Sequence, residues 1–180
     1  AQRGLVHTSR MRLALVWIAA FWASSLTAPG SCITRMYFLD PRPDDLTMVT
    51  DASPWGLGAA LFKEGESRGW RDATLIKLAA LEISEETARE LGATIGEAAS
   101  QTIFELLAIL WALQLWRRFF QGRIRQPRIR ADSAGALGAA ANLASKVPAL
   151  NFLAAEIALL LERHDCMELA GSHIPGAINK

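Results

Sequence analysis

Residues 46–62 read LTMVTDASPWGLGAALF, and the fold turns on how they are read. Residues 46–51 alternate and are rich in β-branched side chains, the pattern of a strand with one buried face. Ala52, Ser53 and Pro54 then signal a turn. Residues 55–62 read as a second strand, in which Gly56 and Gly58 permit a bulge or the close approach of another backbone. Asp51 stands at the end of the first strand. Residues 63–67 (KEGES) suit a hairpin turn, and residues 68–76 supply a third antiparallel strand.

Downstream, residues 77–100 carry Glu82, Glu85, Glu86, Arg89 and Glu90 and read as an exposed helical or loop insertion. The clearest helix follows, over residues 100–119. Ile103, Leu106, Leu107, Leu110, Leu113 and Leu115 give it an apolar surface, and Arg117 and Arg118 complement its negative C-terminal end. Gly122 allows the chain to exit. Residues 127–132 (PRIRAD) form a further strand, with Ile129 and Ala131 on one face and Arg128, Arg130 and Asp132 on the other. Ser133 caps an Ala-rich helix running to about residue 145. Pro148 opens another, striped by Leu150, Leu153, Ala154, Ile157, Leu160 and Leu161. Residues 166–174 make the last strand. The resulting order, β-β-β-α-β-α-α-β, is an α/β arrangement that joins an antiparallel hairpin set to parallel crossovers.

Upstream, Pro41, Pro43, Asp44 and Asp45 mark a boundary. Residues 13–28 are strongly apolar and preceded by Arg3, Arg10 and Arg12, which imitates a secretory signal peptide. The run is somewhat short for a membrane span of roughly 20 residues. The chain begins with Ala rather than Met, as a fragment would, and because the remainder reads as intracellular a helix that packs on a missing upstream domain is the preferred reading. Cys32 and Cys166 make neither a disulfide framework nor a zinc-ligand set.

The whole chain of 180 residues suits one domain plus an appendage, and its 51% hydrophobic content is ample for a packed core and argues against disorder. The 19 Lys+Arg nearly cancel the 18 Asp+Glu, so net charge does not mark a nucleic-acid binder. Distribution says more, since Arg117, Arg118, Arg123, Arg125, Arg128 and Arg130 crowd one stretch without an acidic residue. Such a run is either a solvated basic face or a phosphate-binding surface.

Three acidic residues stand out by position. Asp51 ends the first strand, Glu105 lies early in an otherwise apolar helix, and Asp132 ends the strand after it. An Asp at a strand end is commonly a turn residue, and a Glu near a helix start commonly a dipole partner. Their joint placement suggests convergence at one sheet edge. Grouped carboxylates repel and raise one another's pKa, which a hard cation relieves. Mg²⁺ prefers octahedral oxygen ligands and keeps several waters. Two such ions about 3.5–4 Å apart can activate water and stabilise the leaving oxygen in phosphodiester hydrolysis.

The motifs are more specific still. TDASPWGLG (50–58) resembles the first motif of the ribonuclease H domain of retroelement polyproteins, and FELLAILWAL (104–113) resembles the helix with its catalytic Glu. RADS (130–133) resembles the third motif, and SHIPGAIN (172–179) a His-x-Pro-Gly…Asn segment of retrotransposon versions. The resemblance covers residues 46–180. It implies a ribonuclease H-like mixed sheet, the first three strands antiparallel and the later strands parallel, flanked by helices. Residues 1–40 would be the tail of an upstream polymerase or connection region.

The resemblance further implies hydrolysis of the RNA strand of an RNA–DNA hybrid, with Asp51, Glu105 and Asp132 as ligands of Mg²⁺ (or Mn²⁺) and an upstream reverse transcriptase polymerase domain as partner. Ser53, Ser133 and Asn179 are its substrate contacts, although a turn and a helix cap already explain the two serines. Arg128 and Arg130, from the basic run, are candidate phosphate contacts. The family's fourth acidic residue lies a few positions beyond Asn179, so the domain is expected to be truncated before its last helix. His173 is not assigned the family's mobile-loop role, and His164 reads as a helix-dipole partner. The rival readings are a non-catalytic scaffold or decayed element of the same fold, and a secreted protein led by residues 13–28.

Overall fold

The computed structural model describes residues 46–64, 72–120, 127–163 and 169–174. Five strands form one mixed sheet: β1 (Leu46–Ala52), β2 (Gly56–Lys63), β3 (Thr74–Glu82), β4 (Arg128–Ala131) and β5 (Ala170–His173). Their order is β3-β2-β1-β4-β5. The hairpin pairs β1 with β2 antiparallel, setting Asp51 opposite Gly58. β4 lies parallel to β1, with Met48 beside Ile129, and β5 lies parallel to β4. The expected mixed sheet is therefore present, with β1 at its centre.

Period-two alternation decides which face is covered. Met48, Ala59, Leu61, Ile129 and Ala131 point into the main core. They meet α2 (Gln101–Leu115) and α5 (Pro148–Arg163), which bring Leu106, Ile109, Leu113, Leu153 and Ile157. α4 (Ala134–Asn142) packs between α2 and β5. By length and composition, Ala98–Leu115 could cross a membrane, but half of it is buried inside the fold. A helix apolar on most sides is what a position between a sheet and two other helices requires. Pro148 opens α5 and Ser133 caps α4, its Oγ accepting from the Ala136 N–H at 3.3 Å, both as expected. α4 ends earlier than about residue 145, on Leu143 in the left-handed region at φ 52°.

The opposite face carries a polar seam. The Thr47 hydroxyl donates to Glu64 Oε1 at 2.7 Å. Arg128 donates to Glu64 Oε2 at 2.7 Å and Arg130 to Oε1 at 2.9 Å. Glu64 thus links the end of β2 across β1 to β4. The Glu64 side chain is 8% exposed and the two arginines 24% and 23%. Removing the carboxylate's charge takes an ion pair from each of two partly buried cations. Glu64→Gln is expected to lower stability by about 1–3 kcal/mol, between the values for surface and fully buried pairs. Urea melts of the two proteins at one pH measure this, and a loss under about 0.5 kcal/mol would place the seam among ordinary surface pairs.

Three expectations need correction. The third strand is Thr74–Glu82 rather than 68–76. It is an edge strand with mostly exposed side chains, Leu75, Leu78 and Leu81 being 50%, 75% and 48% exposed, so no buried alternation marks its ends. Second, residues 77–100 are not simply an exposed insertion. After β3 comes α1 (Glu85–Glu90), capped by Ser84, and Ile83, Ala88, Ala93 and Ile95 pack with Ala52, Leu57 and Phe104. That segment also grips the β1–β2 turn, where Ile83 N–H donates to Trp55 O at 2.9 Å and Gly96 N–H to Pro54 O at 3.0 Å. Third, the long helix stops at Leu115. Trp116 is buried and leaves helical geometry, and Arg117 and Arg118 begin a separate turn, α3 (Arg117–Phe120).

Candidate metal centre

β1 delivers Asp51 to the rim of the sheet, where its Oδ1 accepts from the Ala52 N–H at 3.0 Å. α2 delivers Glu105 from the packed side, where the residue is only 3% exposed. β4 ends one residue before Asp132, which is half-buried. One carboxylate oxygen from each of the three lies within 4.8 Å of the others. The convergence expected from the order of the elements is therefore present. Two helix starts must come close for it, and Gly135 makes this easy. A Cβ at that position would lie 3.2 Å from Thr102 Cγ2, tighter than ordinary contact.

The electrostatics are those of a site short of positive charge. Burial pushes the Glu105 carboxyl up to about 7; Asp132 and Asp51 add to the rise, and a hydrogen bond from Gln101 opposes it. Asp51 is raised by burial and then by Asp132, against the Ala52 N–H. Glu105 Oε1 accepts from Gln101 Nε2 at 2.9 Å, whereas its Oε2 is buried with no hydrogen-bond partner. A buried carboxylate oxygen without a donor is costly. A divalent cation held by the three carboxylates would both occupy that oxygen and remove the repulsion, so the donor set fits Mg²⁺ or Mn²⁺.

The other residues singled out from the sequence fall in several places. Ser53 closes the β1–β2 turn, its Oγ accepting from Gly56 N–H at 3.0 Å and Trp55 N–H at 3.3 Å. Ser133 is the α4 cap beside Asp132. Arg130 pairs in register with Val49 and Arg128 with Thr47, so both lie back along the strands from the carboxylates and are engaged by Glu64. Asn179 and His164 lie outside the described residues, as do residues 1–40. His173 Nε2 donates to the Asp132 carbonyl at 2.9 Å, a contact that sequence order alone did not suggest. Gln101 was also missed, though its position one helical turn before Glu105 was a readable signal.

Beside Asp51 an open cleft of about 440 Å³ runs over Ser53, Gly56 and Gly58 to Leu81 and Glu82. Gly56 allows β2 and β3 to approach closely there, since a Cβ would come within 3.1 Å of the Leu81 carbonyl oxygen.

No protein-family model and no curated protein matches the sequence. Solved structures do. Ribonuclease H1 of Halobacterium salinarum is 19% identical at a TM-score of 0.50, covering 74% of this chain and 88% of its own. The compost-derived LC11 ribonuclease H1, solved in complex with an RNA/DNA hybrid, is 18% identical at a TM-score of 0.53 with the same coverage. The N-terminal ribonuclease H domain of rv2228c from Mycobacterium tuberculosis is 14% identical at 0.50, covering 74% and 86%. With its five-stranded sheet in the order 3-2-1-4-5 and its helices, the chain has the ribonuclease H-like α/β fold.

Proposed function

We propose that this chain is the ribonuclease H domain of a retroelement reverse transcriptase and hydrolyses the RNA strand of RNA–DNA hybrids inside the cell. The observation that carries the reading is the meeting of Asp51, Glu105 and Asp132 from three separate elements, with a buried oxygen of Glu105 left without a donor. The four retroelement-like motifs support the parentage, and the hybrid-bound LC11 enzyme of the same fold supports the substrate.

In this reading, Asp51, Glu105 and Asp132 would hold Mg²⁺, whose chemistry would be the activation of water and the stabilisation of a leaving oxygen. The chain's own groups prepare the site. The Ala52 N–H fixes Asp51, Gln101 fixes Glu105, and His173 holds the backbone at Asp132. The open cleft lets a sugar–phosphate backbone approach Asp51. A hybrid is recognised by backbone and 2′-hydroxyl contacts rather than base edges, which suits a shallow cleft. Ser53, Ser133, Arg128, Arg130 and Asn179 are the substrate contacts in this proposal, the two arginines reaching phosphate only by sharing their charge with Glu64.

The test is cleavage of a hybrid labelled on each strand, with Mg²⁺, by this chain and by one extended beyond Lys180 through the next acidic residue. The expected products are cut RNA and intact DNA, with none formed in EDTA. Hybrid binding without cleavage by either protein would favour a non-catalytic scaffold. Reverse-transcriptase motifs in the coding sequence before Ala1 would establish the parentage.

A further inference from the structure

We propose that Gln101 is the positioning residue of the metal centre, holding Glu105 by one oxygen, tying it to the end of β1 and leaving the other oxygen for a divalent cation. This rests on reading the three carboxylates as a cation site.

Gln101 is the first residue of α2 and lies one helical turn before Glu105. Its Nε2 donates to the Ala52 carbonyl and, at 2.9 Å, to Glu105 Oε1. The Ala52 carbonyl can only accept, so the amide nitrogen must face it, and its two hydrogens serve that carbonyl and Glu105 Oε1. A side chain held at two points has little rotational freedom left, and the Glu105 carboxylate inherits that restriction.

Ala52 is the common reference. Its N–H holds Asp51 Oδ1, and its carbonyl, through Gln101, holds Glu105 Oε1. Two carboxylates from a strand and a helix are thereby indexed to one residue of backbone. The geometry also separates the two oxygens of Glu105. Oε1 has its donor, whereas Oε2 is buried and has none. Without Gln101 the carboxylate could turn and share its oxygens among whatever donors it finds. With Gln101 one oxygen stays committed and the other stays available. Groups that orient a metal ligand in this way typically change metal affinity by 10–100-fold when removed.

The experiment is Mn²⁺ titration of the full chain without nucleic acid, following the electron paramagnetic resonance signal of the free ion. Gln101→Leu keeps the bulk and removes the donor. It is expected to weaken Mn²⁺ binding by about 10–100-fold. Circular dichroism on the same samples checks that the variant is folded, and Gln101→Met replaces it if it is not. Binding within twofold of the wild type in a folded variant would overturn the proposal, leaving Gln101 as a tether for the start of α2. If the wild type binds no Mn²⁺, or Asp132→Asn binds it equally well, the cation site itself fails and the inference with it.

Discussion

Asp51→Asn is expected to leave the protein folded and to reduce hybrid cleavage by at least about a hundredfold, since even outer-shell partners of a metal ligand are worth 10–100-fold. Asn matches Asp in shape and can still accept the Ala52 N–H. What it lacks is charge, and the proposed chemistry rests on charge at this point. The same loss should make the metal-free protein slightly more stable, because Asp51 and Asp132 repel and both act on Glu105. Activity and stability thus move in opposite directions, which a general folding defect cannot imitate. Single-turnover cleavage in Mg²⁺ and a melt in EDTA are the two measurements. Cleavage within tenfold of the wild type would remove Asp51 from the metal centre.

Glu105→Gln should produce the largest change in how stability depends on pH. The Glu105 carboxyl is raised from 4.5 to about 7 in the folded protein. Between those values the native state holds a proton that the unfolded chain has released. Stability from this group is therefore complete below about pH 4.5 and is lost as pH rises through about 7. At roughly 1.4 kcal/mol for each pH unit of separation, the loss is about 3 kcal/mol. Gln carries no such dependence. In EDTA the variant should therefore gain on the wild type between pH 5 and pH 8. Mg²⁺ should reverse the difference at pH 8, since on the proposed reading it would bind the charged carboxylate and stabilise the native state by mass action. Cleavage by the variant should be absent. Urea melts at both pH values, with EDTA or Mg²⁺, test this. A difference between the proteins that stays constant from pH 5 to pH 8 in EDTA would refute it.

Where the sequence could be read, burial had left a local imprint. β1 and β4 each alternate because one face meets the helices, and Ile129 and Ala131 are buried as their spacing requires. Ser133 announces α4 because a cap needs a side-chain oxygen at that one place. Asp51, Glu105 and Asp132 were legible because each ends or interrupts a pattern otherwise explained by packing.

What could not be read depends on partners distant in the chain. The limits of β3 are set by pairing with β2, including a register shift at Leu61/Phe62, and its exposed side chains carry no matching signal. Glu64 looked like part of a hairpin turn, yet it is buried because Thr47, Arg128 and Arg130 surround it. The basic run lost part of its apparent meaning for the same reason. Gln101 is the intermediate case, since its spacing from Glu105 was visible but its bond to Ala52 was not.

The origin of the three carboxylates on β1, α2 and β4 has a consequence for the order of events in folding. The β1–β2 hairpin is local, whereas the parallel pairing of β1 with β4 joins distant parts of the chain. Contacts of that kind form against a larger loop-closure cost than the hairpin's. A chain that has made its hairpin but not inserted β4 holds Asp51 without Asp132 and offers a cation only part of its coordination. A cation held by all three carboxylates, as proposed, would act as a latch rather than a nucleus, slowing escape from the native state while leaving the speed of reaching it nearly unchanged.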